Sequence, residues 1–202
     1  TAAIYGFKLM LDHVLQNFKP DTALVAFDAG KVTFRTKMYD DYKGGRNKTP
    51  NELTEQIPYV RELIKDSGLH SYELANYEAD DIIGTLAKQA DDAGYKTLIV
   101  TGDRDLTQLA SENTTVAVTH KGVTDTEHYT PAHVEEKLGI TPRQIIDMKA
   151  LMGDSSDNYP GVTKIGEKTA IKLVKQFGSV EELYDHIDDL KKSKMKEHLI
   201  ED

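Results

Sequence analysis

The chain contains no cysteine, so disulfides and thiolate metal sites are excluded outright. No apolar run approaches the roughly 20 residues of a membrane span, and no signal-peptide pattern opens the sequence. Internal repeats and low-complexity tracts are also lacking. An intracellular protein fits these absences. Basic charge is in deficit: 25 lysines and arginines face 34 acids, for a formal net charge of −9. That balance argues against a polyanion partner unless the charge is unevenly spread, because distribution decides the local field. The first residue is Thr1 rather than Met, which reads as a trimmed or processed chain. With 202 residues, 39% of them hydrophobic, the chain can bury one sizeable core with a small appended module.

The acids are not scattered. Four clusters stand at the edges of apolar runs: Asp28 in VAFDAG, Glu78, Asp80 and Asp81 in YEADD, Asp103 and Asp105 in VTGDRDL, and Asp154 and Asp157 in GDSSDN. Crowded carboxylates repel, so a fold that gathers them needs cations. Hard divalent ions take oxygen ligands and suit such a set. Two ions about 4 Å apart can activate a water and stabilise the leaving oxygen of a phosphodiester. Each cluster alone also has a plainer explanation. A post-strand Asp caps helices, acids in a first turn complement the helix dipole, and GDSSDN could be a run of Asx-turns. Their joint placement favours the metal explanation and a phosphodiesterase.

The basic residues are also grouped. Lys31, Arg35, Lys37, Lys43, Arg46 and Lys48 stand against only Asp40 and Asp41 in that interval. A charge run is most often a solvated face. Here Phe34, Tyr39 and Tyr42 are interleaved with it, and aromatic faces stack on nucleic-acid bases.

Periodicity predicts an amphipathic helix over 4–18, a short buried strand over 22–27 and a helix from Thr49-Pro50 to Gly68. It further predicts strands at 69–74, 97–100 and 114–118, a helix over 78–93 and a turn near Gly122. Residues 30–48, with Gly44 and Gly45 adjacent, read as a mobile loop or frayed helix. Alternating strands and helices imply a mostly parallel sheet covered on both faces, with ligands at the carboxyl ends of strands. From Thr130 the pattern turns helical, with helix starts at Thr130-Pro131 and Thr141-Pro142 and a break at Gly178-Ser179. A boundary falls near 129, dividing 1–129 from 130–202. In PGVTKIGEKTAIKL, Gly161 and Gly166 allow a tight hairpin before a helix. Amides at that helix start can hold a phosphate, and Lys164, Lys168, Lys172 and Lys175 add charge; an ordinary packing turn with exposed lysines is the plainer alternative. None of the seven histidines pairs at metal-ligand spacing.

Taken in order, FDAG, FR, YKGGR, YEADD, TGDRDL, GDSSDN-PGV and IGEKTA cover essentially the whole chain. The set resembles the bacterial 5′-nuclease (flap endonuclease-like) family, nearest to the 5′→3′ exonuclease domains that open DNA polymerase I. The resemblance implies an α/β PIN-like core whose mostly parallel sheet is flanked by helices, with a helical arch at about 30–48. A C-terminal helix–three-turn–helix module would bind DNA. It implies that Asp28, Glu78, Asp80, Asp81, Asp103, Asp105, Asp154 and Asp157 hold two Mg2+ or Mn2+ ions. Lys43 and Arg46 would act in catalysis from the arch and, with Tyr42, engage the substrate's terminal nucleotides; Arg35 would contact DNA near the arch base. Gly161, Lys164, Gly166, Lys168 and Thr169 would grip duplex DNA, with a K+ ion on hairpin carbonyls. It further implies a monomeric bacterial cytoplasmic enzyme that acts on DNA with 5′ ends or flaps and removes RNA primers, either fused to a C-terminal polymerase or standing alone.

Two departures bear on this. The family opens on an apolar strand ending in Asp-Gly, whose Asp is a ligand, whereas this chain starts at the following helix. The family hairpin reads Gly-Ile-Gly where this chain has Lys164-Ile165-Gly166, and lysine adopts positive φ at greater cost than glycine. Two other functions compete with a nuclease. A non-catalytic DNA-binding module would have lost acids, and eight remain. A phosphatase of the haloacid-dehalogenase type would use Asp103 as nucleophile and Asp105 as acid, but that motif normally follows the first strand.

Overall fold

The computed structural model describes residues 2–120 and 125–202. The turn expected near Gly122 lies outside the described residues.

Helix α1 (Ala2–Phe18) is amphipathic but thinly covered: it buries only Leu11, and Tyr5 is 67% exposed. Strand β1 (Leu24–Ala26) follows, then helix α2 (Phe34–Met38) inside the basic stretch. Thr36 Oγ1 accepts from Thr33 N at 2.9 Å and donates to Thr33 O at 2.8 Å, which fixes the start of α2.

The single helix expected from Thr49 to Gly68 is two: α3 (Asn51–Thr54) and α4 (Ile57–Asp66). Pro58 explains the break. It has no N–H to donate to Thr54, and its ring would crowd that carbonyl, so it belongs in a first turn. The N-cap is Pro50 rather than Thr49. Gln56, at the break, reaches back to α1, where its Oε1 accepts from Ala3 N at 3.0 Å.

Strand β2 (His70–Tyr72) pairs in parallel with β1, Leu24 opposite His70 and Ala26 opposite Tyr72. Helix α5 (Ala79–Asp92) leads to β3 (Thr97–Thr101), and a 3₁₀ segment (Arg104–Leu109) separates it from β4 (Thr114–Thr119). The pairing of β3 with β4 is parallel; that of β4 with β5 (Thr126–Tyr129) is antiparallel. The sequence pattern does not signal β5, because TEHY is short and mostly polar.

The remainder is helical. Thr130 caps α6 (Pro131–Leu138), its side chain accepting from His133 N. Helix α7 (Gln144–Met152) starts after a turn in which Thr141 N donates to Gln144 Oε1 at 3.0 Å. A hairpin with the four-residue loop 155–158 then joins the short strands β6 (Gly153–Asp154) and β7 (Tyr159–Pro160). Helices α8 (Glu167–Phe177), α9 (Val180–Asp185) and α10 (Lys194–Glu201) complete the chain, with Ser179 capping α9 at the expected break.

One apolar cluster runs through most of this. It joins Ile99, Val116 and Val118 of the sheet to Val134, Leu151, Leu173, Leu183 and Leu199 of the helices. Burying each such side chain contributes about 1.5–3 kcal/mol. The helical segment therefore presents its loops from a fixed base shared with the sheet.

Candidate active site

The acids first act as caps. Asp28, just past β1, accepts from Ala79 N at 2.7 Å with Oδ1. Glu78 is the extended N-cap of α5, and Asp81 Oδ2 accepts from Glu78 N at 3.0 Å. Asp103 caps the 3₁₀ segment by accepting from Asp105 N at 2.8 Å. Asp154 Oδ1 accepts from Ser156 N at 2.7 Å and from Ser156 Oγ at 2.6 Å. Orphan donors at helix and loop starts thus hold the carboxylates at the ends of the strands. The plain capping role and the site role coexist in the same atoms.

Cations stand directly against them. Glu78, 8% exposed, receives Lys43 Nζ at 2.6 Å and the Tyr42 hydroxyl at 3.1 Å. Arg35 forks onto Asp81 with two bonds of 2.8 Å and reaches Glu78 at 3.5 Å. Arg46 donates to Asp157 Oδ1 at 2.5 Å and to Ser156 O at 3.2 Å. Lys149 bridges Asp105 at 2.9 Å and Asp154 at 2.5 Å. The last was not anticipated from sequence. Its signal is a lone lysine five residues before Asp154, on the helix that leads into GDSSDN.

Titration follows these contacts. The Arg35 fork holds Asp81 below the usual carboxylate range, and Arg35 is pushed up in return. Burial works against ionised Asp154, but Lys149, Ser156 and the Asp157 amide outweigh it and hold the carboxyl down. Burial likewise works against charged Lys149, and its two carboxylates more than compensate, so its pKa rises. For Asp105 burial prevails over Lys149 and the pKa rises. Burial also pushes the Tyr42 hydroxyl up, with Glu78 and Asp157 adding to it. Asp80 still reaches solvent, yet the protein packed around its carboxyl, and then Asp103, Asp28 and Glu78, push it up to about 6.

Asp80, Asp103, Asp28 and Glu78 thus share one electrostatic environment, and Asp103 also acts on Asp105, which Lys149 joins to Asp154. Tyr42 links Glu78 to Asp157, at 3.5 Å from the latter. Among the described residues no three of these acids are arranged to hold a metal as they stand. The physical reason is visible: the most enclosed oxygens are satisfied by Lys43, Arg35, Arg46 and Lys149. The donor set itself fits a hard divalent ion, being all carboxylate oxygen and mutually repulsive.

Of the aromatics in the basic stretch, Phe34 packs on Tyr77 with ring centroids 5.7 Å apart and Tyr42 points at the acids. Tyr39 is exposed, beside Met38 at 82%.

The lysine-rich hairpin lies further along the chain, after β7. Gly161 is required there by close approach, since a Cβ on it would sit 2.2 Å from Gly153 N. Gly166 meets no such crowding; it is the extended N-cap of α8. The left-handed residue of the hairpin is Lys164, at φ 62. Lys164 and Lys168 are exposed and Thr169 is half-buried. The amides of Glu167, Lys168 and Thr169 fall in the first turn of an 11-residue helix, where they have no intrahelical acceptor. Lys175 does not join this surface; its Nζ lies where a Cβ on Gly139 would be, at the end of α6.

Known proteins share this fold. Residues 1–139 match the 5′-3′ exonuclease N-terminal resolvase-like domain, and residues 140–202 match the 5′-3′ exonuclease C-terminal SAM fold. The chain therefore belongs to the 5′-3′ exonuclease family. It is 59% identical over 202 residues to DNA polymerase I of Streptococcus pneumoniae (strain R6), covering 100% of this chain and 23% of that protein. Among solved structures, the T5 5′-exonuclease with bound zinc superposes with a TM-score of 0.81 at 23% identity, over 97% of this chain and 75% of that one. The bacteriophage T5 flap endonuclease in a pseudo-enzyme–product complex with DNA and metal ions gives 0.79 at 22% identity, over 96% and 73%. The fold is thus α/β, a resolvase-like domain joined to a helical one, with no helix among the described residues long and apolar enough to cross a membrane.

Proposed function

We propose that this chain is the nuclease part of a longer bacterial enzyme. It hydrolyses phosphodiesters near the 5′ end or 5′ flap of DNA, and of RNA primers paired to it, in the cytoplasm. The relatives' length supports a covalently fused C-terminal polymerase, since the match covers only 23% of the S. pneumoniae protein. The whole is a monomer. One observation carries the reading: seven of the eight predicted acids are engaged by a cation or an amide at the ends of strands and helices, around a single mouth.

Two Mg2+ or Mn2+ ions bound to Asp28, Glu78, Asp80, Asp81, Asp103, Asp105, Asp154 and Asp157 would supply activation of a water and stabilisation of the leaving oxygen. The protein's cations do the rest. Lys43 and Arg46 give up Glu78 and Asp157 for the phosphate oxygens of the scissile group, where developing negative charge strengthens the contact. Their carboxylate contacts keep both side chains extended over the mouth beforehand. Tyr42 presents its ring and hydroxyl to the terminal nucleotide, and Arg35 braces the base of the arch through Asp81. Lys164, Lys168, Gly161, Gly166 and Thr169 hold the duplex backbone, with α8 amides aimed at a phosphate. Carbonyls of the hairpin around the left-handed Lys164 would hold K+.

The test uses the full-length protein and a labelled 5′-flap duplex. Asp103→Asn with Asp105→Asn should lower Mg2+-dependent cleavage by at least about 100-fold, a size typical of losing charge stabilisation at the reacting centre. Duplex binding in EDTA should be retained. Undiminished cleavage by that variant would overturn the assignment. Equal loss of binding would point to a DNA-binding module without this chemistry.

A further inference from the structure

Two kinds of contact join the segment 41–46 to the loop 154–158. One kind uses carboxylates: Arg46 to Asp157, and the Tyr42 hydroxyl to Asp157. Any cation or phosphate entering the mouth competes for those atoms. The other kind uses main-chain atoms. Asn158 Nδ2 donates to Asp41 O at 2.8 Å, Lys43 N donates to Asp157 O at 2.8 Å, and Arg46 Nε donates to Ser156 O at 3.2 Å. Substrate phosphate attracts neither a neutral carbonyl nor the neutral donors Asn158 Nδ2 and Lys43 N as it attracts the Arg46 guanidinium, so the Asn158 and Lys43 bonds meet the least competition on its arrival.

Asn158 has a particular place among them. Asp41 O also accepts from Gly44 N at 2.8 Å, the bond that closes the turn carrying Tyr42 and Lys43. Both lone pairs of that carbonyl are thereby used, one inside the turn and one by a side chain 117 residues away. The turn is sharp: Lys43 sits at φ 57, and a Cβ on Gly44 would lie 3.0 Å from Asp41 O. Asn158 is itself at φ 57, a region that asparagine enters more readily than most residues. One side chain thus fits its own strained position and fastens another.

From this juxtaposition we propose that Asn158 is a positioning residue for cleavage. It clamps the Asp41–Gly44 turn to the Asp154–Asp157 loop, so that Lys43 and Arg46 keep their reach over the mouth once their carboxylate partners are taken. It touches no reacting atom. The proposal rests on the role given above to Lys43 and Arg46. Small displacements of such groups matter, since about 1 Å can cost about 100-fold in rate.

Asn158→Gly in the full-length protein tests it, because glycine keeps the left-handed backbone and removes only the amide. On a 5′-flap duplex at saturating DNA and Mg2+, kcat should fall at least about tenfold. KM and the duplex Kd should stay within about twofold, and the pH profile should be unshifted. Hydrogen exchange should quicken at Lys43 and Gly44 while β3 and β4 remain protected. Asn158→Asp, which keeps size and backbone tolerance but not the donor, should behave like the glycine variant. Normal kcat in Asn158→Gly, whether or not exchange quickens, overturns the proposal. So does a loss of kcat with unchanged exchange at 41–46. Normal cleavage by Lys43→Ala and Arg46→Ala removes the arch role itself, a separate failure read on separate variants.

Discussion

Asp80 shows what a crowd of carboxylates costs at the level of one residue. Its folded carboxyl sits at about 6 against an ordinary 3.8, so the folded chain binds this proton more tightly than the unfolded chain. The contribution to stability is then most favourable below pH about 4 and is lost as pH rises toward 6. Without divalent ions, Asp80→Asn should raise the melting temperature at pH 7.5 and do little at pH 4. Mg2+ should shrink that advantage at pH 7.5, since an ion that binds only the folded chain stabilises it by mass action. A gain larger at pH 4 than at pH 7.5 would show that the repulsion is not felt. Asp154 and Asp81 work the other way: held below the ordinary range, they stabilise above pH about 4 and lose that contribution as pH falls. Lys149 is the counter-cation of the Asp105–Asp154 pair. Lys149→Met should cost at least about 1–3 kcal/mol, the range for leaving a buried polar group unsatisfied, with charged groups above it. Urea denaturation should show the loss in EDTA and its partial recovery in Mg2+; an equal loss in both would make Lys149 a packing residue.

At the scale of elements, strongly periodic segments were legible in the sequence, and so were the acids at their ends. The helix over 78–93, the strands over 97–100 and 114–118 and the cap at Thr130 stand close to where apolar spacing and capping chemistry put them. Segments governed by a single residue or by tertiary pairing were not. Pro58 splits the 49–68 helix, and β5 exists only because β4 supplies its partners. The eight acids were found as a pattern of carboxylates, which is why Lys149 and Asn158 escaped notice: their significance lies in which atoms the fold brings to them. The hairpin before α8 shows a local rule overridden. Lys164 holds a left-handed φ of 62, which costs an ordinary residue roughly 1–2 kcal/mol. Lys164→Gly should therefore stabilise the fold by about 1 kcal/mol in urea. It should also weaken duplex binding and lower the salt slope of log K by about one if the side chain meets a phosphate. A stabilised variant with an unaltered slope would leave Lys164 as a turn residue only.

Across the whole molecule, burial is uneven. The large apolar cluster joins β3–β5 to the helices from α6 to α10, but Leu11, Val60, Ile64 and Ile82 lie outside it. The end built from α1, β1, α4 and β2 thus rests on few buried side chains, and β2 is exposed along its length. Yet β1 leads to Asp28, and the basic segment with Lys43 and Arg46 follows it. The two ends should differ in opening free energy, because local stability tracks buried apolar contact. Leu183→Ala, in the large cluster, should cost about 2–5 kcal/mol and lower hydrogen-exchange protection of β4 by a similar amount. Ile64→Ala removes as much side chain but should leave β4 protected, while β1 and β2, which should exchange faster even in the unaltered chain, open further. DNA and Mg2+ should slow exchange at β1 and β2 more than at β4, since ligands that join the acids of both ends tie the weaker end to the stronger. Equal loss of protection at β4 from both substitutions would instead make the chain one cooperative unit, and binding would then raise protection evenly throughout.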